Sequence, residues 1–287
     1  MKKNLIILVQ TILLILAIAL KFNGNNRLQA SKNLLFGKEL IRLTSQKDIL
    51  TNLENGSCDI GVMDSIMGGW YAGKSDKYVV LDYNFGEEKY GVGANKGDKA
   101  LISEVNKALK KLKEDGTINE IATKFGQENK ILINENDNCA DATDDSFRKI
   151  IARKKLVIGY TVFEPIAFKK NGTLTGVDIE LAKVVVTHWN NQYGTQIVLE
   201  PILIEWSKKE TMLQNGTIDL IWNGMTLNKR VLDNLEISIP YMTNQQIALV
   251  KNVDLAKYDT LVKFLENSQK AIVAIERGSA ADYLMNL

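Results

Sequence analysis

The residues able to do chemistry in this chain cluster around a repeated pattern. Leu53-Glu54-Asn55-Gly56-Ser57-Cys58-Asp59-Ile60 and Leu213-Gln214-Asn215-Gly216-Thr217-Ile218-Asp219-Leu220 share Leu-x-Asn-Gly-x-x-Asp-apolar, 160 residues apart. Five residues after the shared Asp, one copy delivers Asp64-Ser65 and the other Gly224-Met225-Thr226. Farther on, Gly278-Ser279-Ala280 opens a helix-like stretch after an apolar run, and the free N–H groups and dipole of such a start suit a carboxylate. Catalytic patterns are thin by comparison. His188 is the only histidine and has no metal-ligand or nucleophile spacing around it. No Walker loop is present, and Gly91-Val92-Gly93 followed by Gly97 misses the dinucleotide spacing. No cofactor or metal is expected.

The elements that must position these residues alternate in type. Asn-Gly supplies the left-handed positions that end a helix, so each copy of the repeat reads as helix, turn, buried strand, the strands being 60–63 and 220–222. Strands are also expected at 156–159, 196–200 and 271–275, and helices at 101–112, 178–185 and 208–214. The stretch 127–145 is rich in Asn, Asp and Glu and reads as a linker. In open α/β sheets ligands collect beyond the carboxyl ends of strands, where both polar clusters fall. Two such α/β lobes face to face enclose a polar cleft.

Composition limits the partners. Of 36 Lys and Arg, four lie in the first thirty residues, which carry no acid; the remainder sets 32 basic against 34 acidic side chains. That near-neutral balance argues against a nucleic-acid binder. The first thirty residues read as an export signal: Lys2 and Lys3, then an apolar run from Leu5 to Leu20, then Lys21. Leu28-Gln29-Ala30 matches a cleavage site poorly, so both a cleaved signal and a retained membrane anchor are open. Cys58 and Cys139 are permitted a disulfide by export, but no framework of spacings demands one.

The succession of motifs resembles the polar amino-acid-binding proteins of ABC importers, solute-binding protein family 3. Residues 155–287 are similar to the opening half of that family through Gly159, Phe163 and Pro165, Gly176-Val177-Asp178-Ile179-Glu180, Asn215-Gly216 to Asp219, Trp222-Asn223-Gly224-Met225-Thr226, Ile237-Ser238-Ile239-Pro240-Tyr241 and Arg277-Gly278-Ser279-Ala280. Residues 37–126 resemble its closing half, through Asn55-Gly56 to Asp64, Leu81-Asp82, Tyr90-Gly91-Val92-Gly93 and Asp115-Gly116-Thr117. The halves stand in reversed order, so the chain reads as a circular permutation of the family's two-lobed, type II periplasmic-binding-protein-like α/β fold. The corresponding division is 1–30 signal peptide or anchor, 31–92 second part of lobe 2, 93–126 hinge strand and helices packing on lobe 1, 127–147 linker, 148–247 lobe 1, and 248–287 hinge strand and first part of lobe 2. A flexible chain of about twenty residues has an r.m.s. span near 25 Å, enough for the linker to close lobe 1. Exchange of halves between two chains is the alternative.

The resemblance implies a ligand and its contacts. A free amino acid needs an opposite charge or oriented donors at each end. Asp64 stands where the family binds the ammonium; Gly278, Ser279 and Ala280 face the carboxylate; Phe163 stacks on the side chain, and Gly224 and Thr226 supply backbone and hydroxyl contacts. Arg230 is the expected carboxylate clamp, although the family's Arg normally follows the Thr226 position by five, which here is Val231, with Arg230 one residue early. One residue on a helix turns a side chain by about 100°. Thr161 occupies a place where many members carry an acid, and nearby Glu164 is the candidate substitute. The implied function is capture of a free polar amino acid and delivery to an ABC permease with its ATPase subunit, on the periplasmic or extracellular face of the membrane. The alternatives are an enzyme on the same fold, dehydratase-like or cell-wall lytic, or a ligand-sensing or non-binding relative.

Overall fold

The computed structural model describes residues 28–29, 38–134, 137 and 139–286. The apolar run read as an export signal lies outside them. Among the described residues, no helix is long and apolar enough to cross a membrane.

The repeat folds twice into the same device. In the first copy, α1 (Gln46–Asn55) starts with a Ser45/Asp48 capping box and ends at Gly56, whose φ of 77° is the left-handed turn that Asn-Gly foretells. Strand β2 (Ile60–Asp64) follows, buried at every position. In the second copy, α7 (Lys209–Gln214) ends before Gly216 at φ 75°, and β8 (Leu220–Thr226) follows. The shared Asn accepts from the backbone N–H two residues on in both copies, Asn55 from Ser57 (2.9 Å) and Asn215 from Thr217 (3.0 Å). The shared Asp has a matching task. Asp59 accepts from the N–H of Ile272 and donates its own N–H to that residue's carbonyl; Asp219 does the same with Val157. Each Asp thus fastens its strand to the parallel neighbour.

That neighbour is β11 (Ile272–Glu276) in one half and β4 (Lys155–Tyr160) in the other. Beyond them lie β1 (Glu39–Leu43), parallel to β11, and β7 (Val198–Leu203), parallel to β4. The inner edge of each half carries an antiparallel strand: β10 (Met242–Lys251) against β2, and β3 (Tyr78–Asn95) against β8. β3 and β10 pair with one another, giving the continuous order β1-β11-β2-β10-β3-β8-β4-β7. The fold is mixed α/β with two lobes joined through this central antiparallel pair. β10 lies beside β2 from Gln246 to Leu249, so its passage between lobes falls at 242–245.

Three apolar clusters support the halves, and the one around Leu109 and Trp189 continues across the central strands to Ile49, Met63 and Leu249. Ile60, Val62, Val273, Ile275 and Phe264 form one with α9 (Leu261–Ser268). In the other lobe α3 (Lys99–Glu114), α5 (Ser146–Arg153) and α6 (Val177–Tyr193) pack through Leu109, Phe147 and Trp189, the last two rings meeting edge to face at 5.0 Å. The stretch read as a linker is pinned at both ends. Leu132 donates to Tyr241 O, and Asp144 accepts from the N–H groups of Ala100 and Ser146. Cys58 is buried and Cys139 partly exposed, and both are free thiols.

Candidate functional site

The carboxyl ends of β2, β11, β4 and β8 converge on a cavity of about 170 Å³. A cavity of about 150 Å³ accepts a benzene-sized molecule, so the space suits a free amino acid.

Asp64, the last residue of β2, lines this cavity and is 5% exposed. Its carboxylate accepts from Tyr90 Oη (2.8 Å), Gln246 Nε2 (2.9 Å), Gln46 and Asn244. Burial raises its pKa, and the Gln46 and Tyr90 donors act against the rise. Glu88, on the crossing strand β3, shares two of these donors, Asn244 (2.8 Å) and Gln246 (3.1 Å), and accepts from Thr226 Oγ1 at 3.1 Å. Burial and the Asp64 charge push Glu88 up to about 8. Amide side chains of the central strand pair therefore hold two acids together where the lobes join.

The facing lobe contributes neutral polar groups and an aromatic. Phe163 is buried, with its ring edge-on to Tyr90 at 6.5 Å. Gly224 has φ 59°, and an added Cβ would meet Phe163 at 2.8 Å and Tyr90 at 3.1 Å, so only glycine fits there. Its N–H donates to Asp178 Oδ2 (2.7 Å), a buried carboxyl that burial raises to about 7. Thr161 Oγ1 accepts from Asn223 Nδ2 at 2.8 Å. Trp206 lines the cavity, whereas Trp222 is wholly buried in the core.

Arg230 stands at the rim rather than inside. α8 (Lys229–Asn234) turns Val231 inward, and the Arg230 side chain is 57% exposed with its guanidinium 2.9 Å from Glu210. The Gly278 loop lines the cavity, but Gly278 N–H donates to Asp282 Oδ2 (2.9 Å) and Ser279 N–H to Glu276 O (3.2 Å), while Ala280 begins the final helix α10 (Ala280–Asn286). Glu164 sits across the cleft mouth, accepting from Trp70 Nε1 (3.2 Å) and lying 3.5 Å from Lys47 Nζ. His188 is partly exposed, and no group of metal-holding side chains occurs among the described residues.

Two cavity residues escaped the sequence reading. Lys209 is 5% exposed, with its Nζ 4.5 Å above the Trp206 ring and donating across the cleft to Gly278 O at 2.9 Å. Burial lowers it to about 8. Glu276, the last residue of β11, is 4% exposed, and burial with the nearby Asp64 charge raises it to about 8. Glu276 had a signal: it closes an apolar strand just as Asp64 does. Lys209 had none, since a Lys-Lys pair opening a helix reads as solvated.

The fold and the cleft define a two-lobed α/β protein whose polar cavity lies between the lobes. Residues 156–282 match the model of the bacterial extracellular solute-binding proteins, family 3. It is 30% identical over 89 residues to the ABC transporter glutamine-binding protein of Bacillus subtilis (31% of this chain, 33% of the relative). It is 36% identical over 81 residues to a probable histidine-binding protein of Neisseria gonorrhoeae (27% and 30%). An ABC uptake transporter substrate-binding protein of Streptococcus pneumoniae, solved with bound histidine, shares 34% identity over 31% of this chain and 35% of its own, with a TM-score of 0.28. The chain thus spans about a third of the length of the curated relatives it matches.

Proposed function

We propose that the chain is an extracytoplasmic solute-binding protein, not an enzyme, that captures a free polar amino acid between its lobes and delivers it to an ABC permease with its ATPase subunit. One observation carries the reading: a cavity of amino-acid size with a buried carboxylate on one wall and a buried ammonium on the other. Asp64 takes the ligand's ammonium. Its carboxylate falls to Lys209 beside the Gly278-Ser279-Ala280 loop, because Arg230 is engaged by Glu210 at the rim. Phe163 packs against the ligand's carbon chain, while Thr161, Gly224 and Thr226 line the same wall. Contacts split between lobes give a closed state something an open one lacks, as ligand-driven closure requires. The relatives named for binding glutamine and histidine support the ligand class.

The order of the halves supports circular permutation: the segment matching the family runs from β4 into α10, and the strands that complete its second lobe, β1 and β2, precede it in the chain. Residues 1–30 would export the protein and, if retained, hold it at the membrane surface. The test is thermal unfolding of the full chain against each of the twenty amino acids, with sugars and peptides as controls. A ligand at one hundred times its Kd adds about 2.7 kcal/mol, which raises Tm by about 5–10 °C for a protein of this size. A rise with a few polar amino acids is expected; no rise with any of them would overturn the reading.

A further inference from the structure

Charge in the cavity is not balanced by its own residues. Four carboxyl groups line it: Asp64, Glu210, Glu276 and Asp282. Two have a cation in contact, Glu210 with Arg230 at 2.9 Å and Asp282 with Arg42 at 2.8 Å. That leaves Asp64 and Glu276 with one lining cation, Lys209, which forms no ion pair among the described residues and donates to the carbonyls of Gly278 and Trp206 instead. A buried carboxyl with no cation against it keeps its proton, and it ionises when a positive charge is brought into contact with it.

Hydrogen bonding points the same way. Glu276 Oε1 is buried without a hydrogen-bond partner, and so is Asn223 Oδ1 on the opposite wall. Both residues line the cavity, Glu276 4% and Asn223 2% exposed. Two orphaned acceptors in one cavity call for a ligand rich in N–H donors. A neutral amino acid brings one charge of each sign and leaves the lack of a cation at Glu276 where it was. An amino acid with a cationic side chain removes it.

We propose that Glu276 reads the ligand's side chain and makes the cleft selective for amino acids carrying a second positive charge. The inference rests on the amino-acid-binding reading above and deepens it. The geometry assigns each charge a partner: α-ammonium to Asp64, α-carboxylate to Lys209, side-chain cation to Glu276. It also accounts for Thr161, the neutral residue where the resemblance leads one to look for an acid: the acid stands on the other lobe, at the end of β11.

The test is calorimetric titration of the full chain with L-arginine and with L-citrulline, which has the same shape and no side-chain charge. Wild type should prefer arginine by at least about thirtyfold, the loss typical of breaking a buried charge pair. Glu276→Gln, of the same size, should bring the ratio to within about threefold. Glu276→Asp, which keeps the charge but draws it back, should fall between, and it decides the matter if the Gln variant does not fold. Equal binding of the two ligands by wild type, or an undiminished preference in both variants, would overturn the assignment while leaving amino-acid capture intact. Wild type that binds no amino acid at all would overturn the functional reading and this inference with it.

Discussion

The strands β2 and β8 are one device used twice, and the difference lies in what they deliver. Both follow a helix closed by Asn-Gly, both are fastened to a parallel neighbour by an Asp, and both point their carboxyl ends at the cavity. Yet β2 and its neighbour β11 end in acids, Asp64 and Glu276, while β8 and its neighbour β4 lead to Thr226, Gly224, Thr161 and Phe163. The shared parts are those that build a lobe, and the divergent parts are those that touch the cavity. A repeat with one scaffold and two chemistries is what a ligand with unlike ends requires.

The strongest way to break the comparison is to erase the chemistry and keep the scaffold. Asp64→Ala removes the proposed ammonium partner on β2 and should weaken amino-acid binding more than about hundredfold, read by calorimetry, since it leaves the ligand's charge buried without a partner. The fold, followed by circular dichroism, should persist, because β2 is held by Asp59 and by apolar burial. Unchanged affinity would remove Asp64 from the site.

The reverse experiment erases the scaffold and keeps the chemistry. Asp59→Ala and Asp219→Ala each leave a part-buried backbone N–H without its acceptor, at a cost of about 1–3 kcal/mol at most, or up to about 8 °C in Tm. Asp219 is also in contact with Arg153, so its variant should lose somewhat more. Denaturant titration of the two variants checks the ranking; equal binding constants in both would show that the strands, once formed, carry the site unaided.

Proton binding sharpens the contrast further. Glu88 and Glu276 are raised by burial to about 8 and Asp178 to about 7, against ordinary values of 4.5 and 3.8. The folded protein therefore holds protons that the unfolded chain releases, and stability is greatest below the unfolded values and declines as pH rises to about 8. Lys209, depressed to about 8 from 10.5, works the other way, adding stability between pH 8 and 10.5. Without ligand, Tm should fall by several degrees between pH 5 and pH 8, and Glu276→Gln should flatten that fall. A Tm that climbs over this interval would contradict the burial assigned to these acids.

What was legible in the sequence follows the same division. The repeat, its turns and the strand starts were readable because Asn-Gly and alternate burial act locally. Asp64, Gly224 and Thr226 lie at the cavity where their place after the strands puts them, and Phe163 where the resemblance does. Strand and helix ends were drawn short: β8 runs to Thr226 rather than stopping at 222, and α6 reaches Tyr193 rather than 185. In both, polar residues continue a geometry that apolar counting ends. Lys209 and the pairing of Arg230 with Glu210 were not legible, since each depends on residues brought together only by the fold. The carboxylate expectation for Gly278 likewise took no account of Asp282, four residues on, which already holds that N–H.

The smallest expected effect concerns the cleft's outer edge, where Glu164 of one lobe meets Trp70 and Lys47 of the other. The Lys47 side chain is 47% exposed, and solvent-exposed ion pairs contribute about 0–1 kcal/mol. Glu164→Gln keeps an acceptor for the Trp70 indole and removes only the charge, so Tm should change by about 2 °C at most. Its effect on binding separates a mouth contact from a ligand contact. If Glu164 touches only the opposing lobe, the arginine-to-citrulline ratio stays as in wild type, because both ligands close the same cleft. A ratio that collapses in Glu164→Gln would move the reader of the side-chain charge from β11 to the facing lobe, and with it the asymmetry between the two ends of the repeat.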